Sequence, residues 1–237
     1  MNLAGIDMLN VINRFVLCVA ISAVLFFVLM PYVDLSVSSV FYSDQFKADF
    51  FLYDWVYDAV RPITFMMTLF LLGEIIFFFV SGKNLLLPVQ CAVFFLLCWL
   101  IGPGLIVNVV FKDHYGRPRP HQIVNFGGEH AYVKPFEFSR ACHKNCSFVS
   151  GHASVGFVFI GLAFVYRRQR YWIALGSIFA GSVIGFVRVA QGGHFLSDIV
   201  FSFLFTYLGV YLSYALMRYL GHQMVISRDE SGVDCLE

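Results

Sequence analysis

Residues 85–111 read LLLPVQCAVFFLLCWLIGPGLIVNVVF, without a single charge, and the chain then turns abruptly polar as Lys112-Asp-His-Tyr-Gly-Arg-Pro-Arg-Pro120. A helix needs about 20 apolar residues to cross the hydrocarbon core of a bilayer, so this stretch predicts a membrane span ending at Lys112. Gly102-Pro103-Gly104 predicts an interruption within it. Five further apolar runs flank it: Phe15 to Tyr32, broken by Pro31, then Ile63 to Val80, Ser150 to Tyr166, Tyr171 to Val187 and Phe195 to Leu220. The first is read as an uncleaved span. Arg14 alone makes a poor basic leader, and no small-x-small cleavage site follows.

Composition agrees with the runs. Of 237 residues 59% are hydrophobic, 28 are Phe and only 13% are charged, and mean hydropathy is +0.75. A soluble domain of this size cannot hide so much apolar surface, and a disordered chain would not carry it. The expectation is an all-α polytopic membrane protein with six spans and both termini on one side. Residues 1–221 form one membrane domain and 222–237 a polar cytoplasmic tail. A net charge of +1 points to no acidic macromolecular partner such as a nucleic acid. No repeat or low-complexity run is present.

Lys and Arg in short loops set orientation. With the termini inside, Lys83, Arg167, Arg168, Arg170, Arg218 and Arg228 fall inside. The 112–149 loop then falls outside despite its own basic residues, which have a second explanation in the site. The acidic and aromatic stretch 34–62, with Phe50, Phe51, Tyr53, Trp55 and Tyr57, predicts a short helix in the interface. Glu74, mid-span, is read either as a protonated interhelical donor or as a functional group. Cys142 and Cys146 can close a small disulfide if their loop faces an oxidising compartment.

The outer loops hold His114, His121, His130, His143, His152 and His194, six of the seven histidines. Lys112, Arg117, Arg119 and Arg188 lie among them. Imidazoles beside fixed cations make an anion site that can move protons. Three clusters stand out. Lys112 and Arg119 bracket a segment stiffened by Pro118 and Pro120. Ser150-Gly151-His152 opens a span with a hydroxyl cap and free N–H groups. Arg188-x5-His194-x3-Asp198 places an imidazole and a carboxylate one helical turn apart. Taken singly, each also has a structural reading: membrane-edge anchoring, a capped helix, a capping His–Asp pair.

Together, Lys-x6-Arg-Pro, Ser-Gly-His and Arg-x5-His-x3-Asp resemble the three-part signature of the type 2 phosphatidic acid phosphatase superfamily, which also includes vanadium haloperoxidases. Gly102 to Pro120 is similar in particular to bacterial lipid A phosphatases. Val149 and Val187 replace the Pro and Ser usual at those positions, and neither change removes a group that handles protons. The resemblance implies that His194 attacks phosphorus and forms a phospho-histidine, that Asp198 orients it, and that His152 protonates the leaving oxygen and then activates water. It implies that Lys112, Arg119, Arg188, Ser150 and Gly151 hold the phosphate oxygens. Arg117 and His114 are possible substrate contacts. No metal and no cofactor is implied.

The expected protein is a multi-pass phosphatase of the bacterial inner membrane, its site facing the periplasm and its substrate a lipid phosphate, lipid A first. Undecaprenyl-diphosphate or phosphatidylglycerol-phosphate are the same-class alternatives. A transporter is the different-class alternative, disfavoured because the charges gather at one rim. A haloperoxidase would not need six apolar spans.

Overall fold

The computed structural model describes residues 3–46, 51–166, 168–221, 226–229 and 232–235. Phe50, Arg167 and half of the 222–237 tail lie outside the described residues. The helices are α1 (Leu3–Leu29), α2 (Val33–Ser39), α3 (Phe51–Ser81), α4 (Val89–Trp99), α5 (Gly151–Phe157), α6 (Leu162–Val165), α7 (Arg170–Ala190) and α8 (Leu196–Tyr219). Two small antiparallel ladders accompany them: β1 (Tyr42–Ser43) with β2 (Gln45–Phe46), and β3 (Ile226–Asp229) with β4 (Gly232–Cys235). The architecture is helical, as expected.

Among the described residues, five stretches are long and apolar enough to cross a membrane: Ile12–Leu29, Tyr53–Ser81, Val89–Lys112, Arg170–Ala190 and Leu196–Tyr219. The sixth expected span corresponds to Gly151–Val165, which is apolar but shorter than the others. It is α5 and α6 joined by a 3₁₀ stretch, Val158–Gly161. It starts on the face where α7 ends. At its other end the Gln169 N–H donates to the Tyr166 carbonyl at 3.3 Å, next to the start of α7.

Two other expectations are corrected. The Gly102-Pro-Gly104 motif does not break its helix. α4 continues into a π-helical segment, Leu100–Lys112, that contains Pro103. Its wider turn tolerates the missing N–H, and the Asn108 side-chain amide donates to the Pro103 carbonyl at 2.7 Å. Nor is 34–62 a single interfacial helix. It is α2, the first ladder and the opening turns of α3, with Pro62 inside α3.

Packing follows a lipid-solvated logic. Only 11% of the apolar window of α1, and likewise of α3, is buried, against 50% of that of α8. Outward Phe15, Leu25, Phe65 and Phe79 are exposed, which costs little against acyl chains. Helix association then relies on close contact and interhelical hydrogen bonds. A Cβ on Gly156 would meet the backbone of Gly181 at 2.5 Å, and Ser177 Oγ donates to the Phe157 carbonyl at 2.8 Å. Around central α8, Phe94, Phe148 and Phe201 are buried, and Phe111 stacks on Phe205 at 4.0 Å. Glu74 is an acceptor at the α3–α4 turn rather than an interhelical donor: its Oε2 receives the Leu86 N–H at 3.1 Å and the Leu87 N–H at 3.3 Å.

The long polar loop is stitched to the end of the π-helical segment. The Cys142 N–H donates to the Gly116 carbonyl at 3.1 Å, Cys146 to Lys112 at 3.0 Å and Ser147 to Arg117 at 2.9 Å. A Cys142–Cys146 disulfide closes this turn. Alkylation of the purified protein without reductant should therefore leave Cys142 and Cys146 unmodified, and reductant should expose both. Labelling of either thiol before reduction would contradict the bond.

Candidate active site

Four chain segments end at one face and deliver the polar side chains there. Lys112 closes the π-helical segment and is largely buried. A β-carbon on Gly151 would lie 3.3 Å from Lys112 Nζ and 2.6 Å from Asn108 Oδ1. Any side chain at 151 would therefore fill the space beside the lysine. Ser150 caps α5 as expected, its Oγ accepting the Ala153 N–H at 3.3 Å. Arg188 sits in the last turn of α7 and Asp198 in the first turn of α8. His194 lies in the tight connection between them and is fully buried.

The cations are held by neutral groups. Arg119 donates from Nη2 to the Asn145 carbonyl at 2.9 Å and to Asn145 Oδ1 at 3.0 Å. Arg188 donates from Nη1 to Gln191 Oε1. Among the described residues, neither arginine nor Lys112 has an ion-pair partner. All three act electrostatically on both His152 and His194. Three positive charges at one rim, without carboxylates paired to them, form a strong attractor for an oxyanion.

The imidazoles complete the arrangement. His194 Nδ1 lies 2.7 Å from the Ser147 carbonyl oxygen. A carbonyl only accepts, so this contact places the proton on Nδ1 and leaves the Nε2 lone pair free. Burial, then Arg119, Arg188 and Lys112, hold the His194 pKa well below the ordinary histidine value. The imidazole is therefore neutral at physiological pH. Six buried side-chain polar atoms among the described residues lack a hydrogen-bond partner. Three of them are His152 Nε2, His194 Nε2 and Arg188 Nε. Unsatisfied buried groups are costly and rare, and their concentration here marks a ligand site.

The direct His194–Asp198 hydrogen bond suggested by the spacing is not made, because Nδ1 and Asp198 Oδ2 are 3.6 Å apart. Asp198 instead accepts from the Ser147 hydroxyl, from the Phe195 N–H at 2.8 Å and from Arg117 Nη1 at 2.7 Å. Ser147 thus touches both, Asp198 through its hydroxyl and His194 through its carbonyl. Arg117 is not a substrate contact: it is wholly buried and pairs with Asp34 and Asp198. His114 also stands apart, exposed, with Nδ1 turned to the Val109 carbonyl at 2.8 Å. His121 sits at the rim beside the Gly192 carbonyl, at 2.9 Å.

Tyr57 was legible only as an interfacial aromatic. Its ring stacks on His152 at a centroid distance of 4.6 Å, and the Arg188 guanidinium lies over it, also at 4.6 Å. Asp54 reaches the same corner, accepting from Gln191 Nε2 at 3.4 Å. The opening turns of α3 thus roof the site. No spacing rule links residue 57 to residues 152 and 188, although a Tyr and an Asp three residues apart before an apolar span are compatible with a helix face turned to the rim.

The family model of the PAP2 superfamily matches residues 92–222, a range that holds all three clusters. The chain is 38% identical over 212 residues to a lipid A 4′-phosphatase of Francisella tularensis subsp. novicida, covering 85% of this chain and 93% of that protein. It is 43% identical over 106 residues to a lipid A 4′-phosphatase of Rhizobium leguminosarum, covering 44% and 46% respectively. A Rhizobium etli protein of the same description is 42% identical over 106 residues. No solved structure matches the chain. The clusters, their convergence at one helical face and these similarities agree: the chain belongs to the PAP2 superfamily.

Proposed function

We propose that this membrane phosphatase removes a phosphate monoester from lipid A, at the 4′ position, through a phospho-His194 intermediate. One observation carries the mechanism: the Nε2 lone pair of a buried, neutral His194, its proton fixed on Nδ1 by Ser147, stands unpartnered among Lys112, Arg119 and Arg188. The substrate follows the relative that aligns along most of its length with this chain.

Nε2 attacks phosphorus, and the bond to the sugar oxygen breaks as His152 gives that oxygen a proton. His152 then takes a proton from water, whose oxygen attacks phosphorus as the phosphorus–nitrogen bond breaks. Inorganic phosphate leaves, and His194 returns to its neutral form. Lys112, Arg119, Arg188, the Ser150 hydroxyl and the Gly151 N–H bind the non-bridging oxygens. Phosphoryl transfer depends mainly on such positioning and charge neutralisation. Negative charge on the bound phosphate favours the imidazolium form of His152. No step needs a metal, because fixed cations supply the positive charge.

In this reading the site faces the periplasm from the inner membrane. The Cys142–Cys146 disulfide on the site face fits an oxidising compartment. Lys83, Arg168, Arg170 and Arg218 follow, precede or end the helices at the other face, as cytoplasmic basic residues do. In this arrangement Gly151–Val165 completes a sixth, short pass.

Replacing His194 with Ala should lower kcat by roughly 10³-fold or more; a purified, folded variant retaining a tenth of the activity refutes the nucleophile assignment. The acidic limb of kcat/KM should lie below the ordinary histidine pKa of about 6.5. The sign follows from protonation, which removes the attacking lone pair only below the depressed His194 value. A limb at or above about 6.5 contradicts a neutral, cation-crowded His194. Replacing His152 with Ala should slow a lipid or sugar phosphate far more than an activated aryl phosphate, whose leaving group needs no proton. Equal losses on both substrates exclude His152 as the acid. Finally, hydrolysis of a detergent-dispersed lipid phosphate should persist in excess chelator and be inhibited by vanadate. Activity that disappears with chelator and returns with stoichiometric magnesium or zinc would overturn the metal-free route.

A further inference from the structure

The geometry points to Arg117, clamped between Asp34 and Asp198, as a positioning residue that sets the charge behind His194 and keeps its proton on Nδ1. This rests on the reading of His194 as the reacting imidazole. All five Arg117 N–H groups have acceptors. Nε donates to the Val133 carbonyl at 2.9 Å, and Nη1 donates to Asp198 Oδ1 at 2.7 Å and Ser197 Oγ at 2.8 Å. Nη2 donates to Asp34 Oδ2 at 2.8 Å and to the Tyr132 hydroxyl at 3.4 Å. The Phe195 ring covers the guanidinium at 4.2 Å. Nothing remains to offer a substrate.

The clamp reaches the imidazole through a chain of contacts. Arg117 occupies Asp198 Oδ1, while Oδ2 accepts the Ser147 hydroxyl and the Phe195 N–H. Ser147 then presents its carbonyl to His194 Nδ1. Asp34 joins from α2, its Oδ1 accepting the Ser197 N–H at 2.9 Å at the start of α8. One carboxylate would have sufficed to anchor a buried arginine. Burial pushes the Asp34 carboxyl up, Arg117 pulls it down and the neighbouring Asp198 raises it; with both carboxylates ionised on one guanidinium, the unit carries a net charge of minus one.

That sign matters because the other charges facing His194 are positive: Lys112 from the π-helical segment, Arg119 from the loop and Arg188 from α7. His152 faces it from α5, and Tyr132 and Tyr115 stand by Arg117. Negative charge behind the ring stabilises the imidazolium that develops when Nε2 bonds to phosphorus. Arg117 on Oδ1, together with Ser147 and Phe195 on Oδ2, keeps that carboxylate from pairing directly with Nδ1, where it would hold the resting imidazole protonated.

The test compares two variants at equal folded fraction, checked by detergent gel filtration. Asp34→Asn makes the unit neutral. The double variant Arg117→Gln/Asp34→Asn keeps its net charge but puts all of it on Asp198, freed to turn toward His194, without leaving two carboxylates unpaired. The His194 ring is titrated by ¹⁵N-histidine NMR, which reads it whether or not it is the nucleophile, and kcat and KM are followed against pH. The double variant should raise the His194 titration by about one pH unit or more, and Asp34→Asn should lower it. In both, kcat should fall roughly 10- to 100-fold, the scale seen when groups that orient a reacting ligand are removed, with KM little changed. Loss of activity with the His194 titration unmoved in both variants overturns the proposal and leaves Arg117 a structural anchor. A moved titration with an unmoved kinetic limb upholds the positioning role and overturns the assignment of His194 as nucleophile.

Discussion

Lys112, Arg119 and Arg188 sit together at one membrane face, and among the described residues no carboxylate is paired to any of them. Like charges repel, and partly buried ones lose hydration, so this grouping persists only because the fold fixes each cation separately. Lys112 ends a helix, Arg188 is bonded to Gln191 and lies on Tyr57, and Arg119 is tied to Asn145. The disulfide closes the turn that contains Asn145. Much of the periphery can be read as scaffolding for this unfavourable arrangement, whose repulsion is relieved when an oxyanion enters.

The carboxylates are kept one layer back. Asp34 and Asp198 meet Arg117 in a fully buried ion cluster. Had either faced the three cations, it would have offset one of their charges and competed with phosphate. The structure thus separates two electrostatic tasks by depth. An outer layer of cations stands on the open side, and an inner layer of two carboxylates on one guanidinium lies behind the imidazole between them. His194 belongs to both, with Nδ1 turned inward to Ser147 and Nε2 left for the ligand.

Much of this was legible in the sequence, for physical reasons. Apolar runs must match bilayer thickness, so the helices appear as uncharged stretches. Lys112, Arg119, His152, Arg188, His194 and Asp198 carry chemistry in their side chains, at spacings that place them near helix ends. What escaped has no local signature. The group that orients His194 is a backbone carbonyl, which any residue at 147 would supply. The Arg117–Asp34 pair joins residues 83 apart, and Asp34 alone looks like a polar residue between spans. The roof formed by Tyr57 depends on how α3 leans over α5. The Gly102-Pro-Gly motif misled because a π-helical segment, unlike a regular α-helix, accommodates the proline without breaking.

The central claim is that phosphorus passes through His194 rather than directly to water. The stereochemical course of hydrolysis tests it most directly, using a thiophosphate monoester chiral through its oxygen isotopes. Two successive in-line displacements, first by His194 Nε2 and then by water, predict retention of configuration at phosphorus. Inversion would mean a single displacement by water and would contradict the account, leaving His194 at most a base or a phosphate contact.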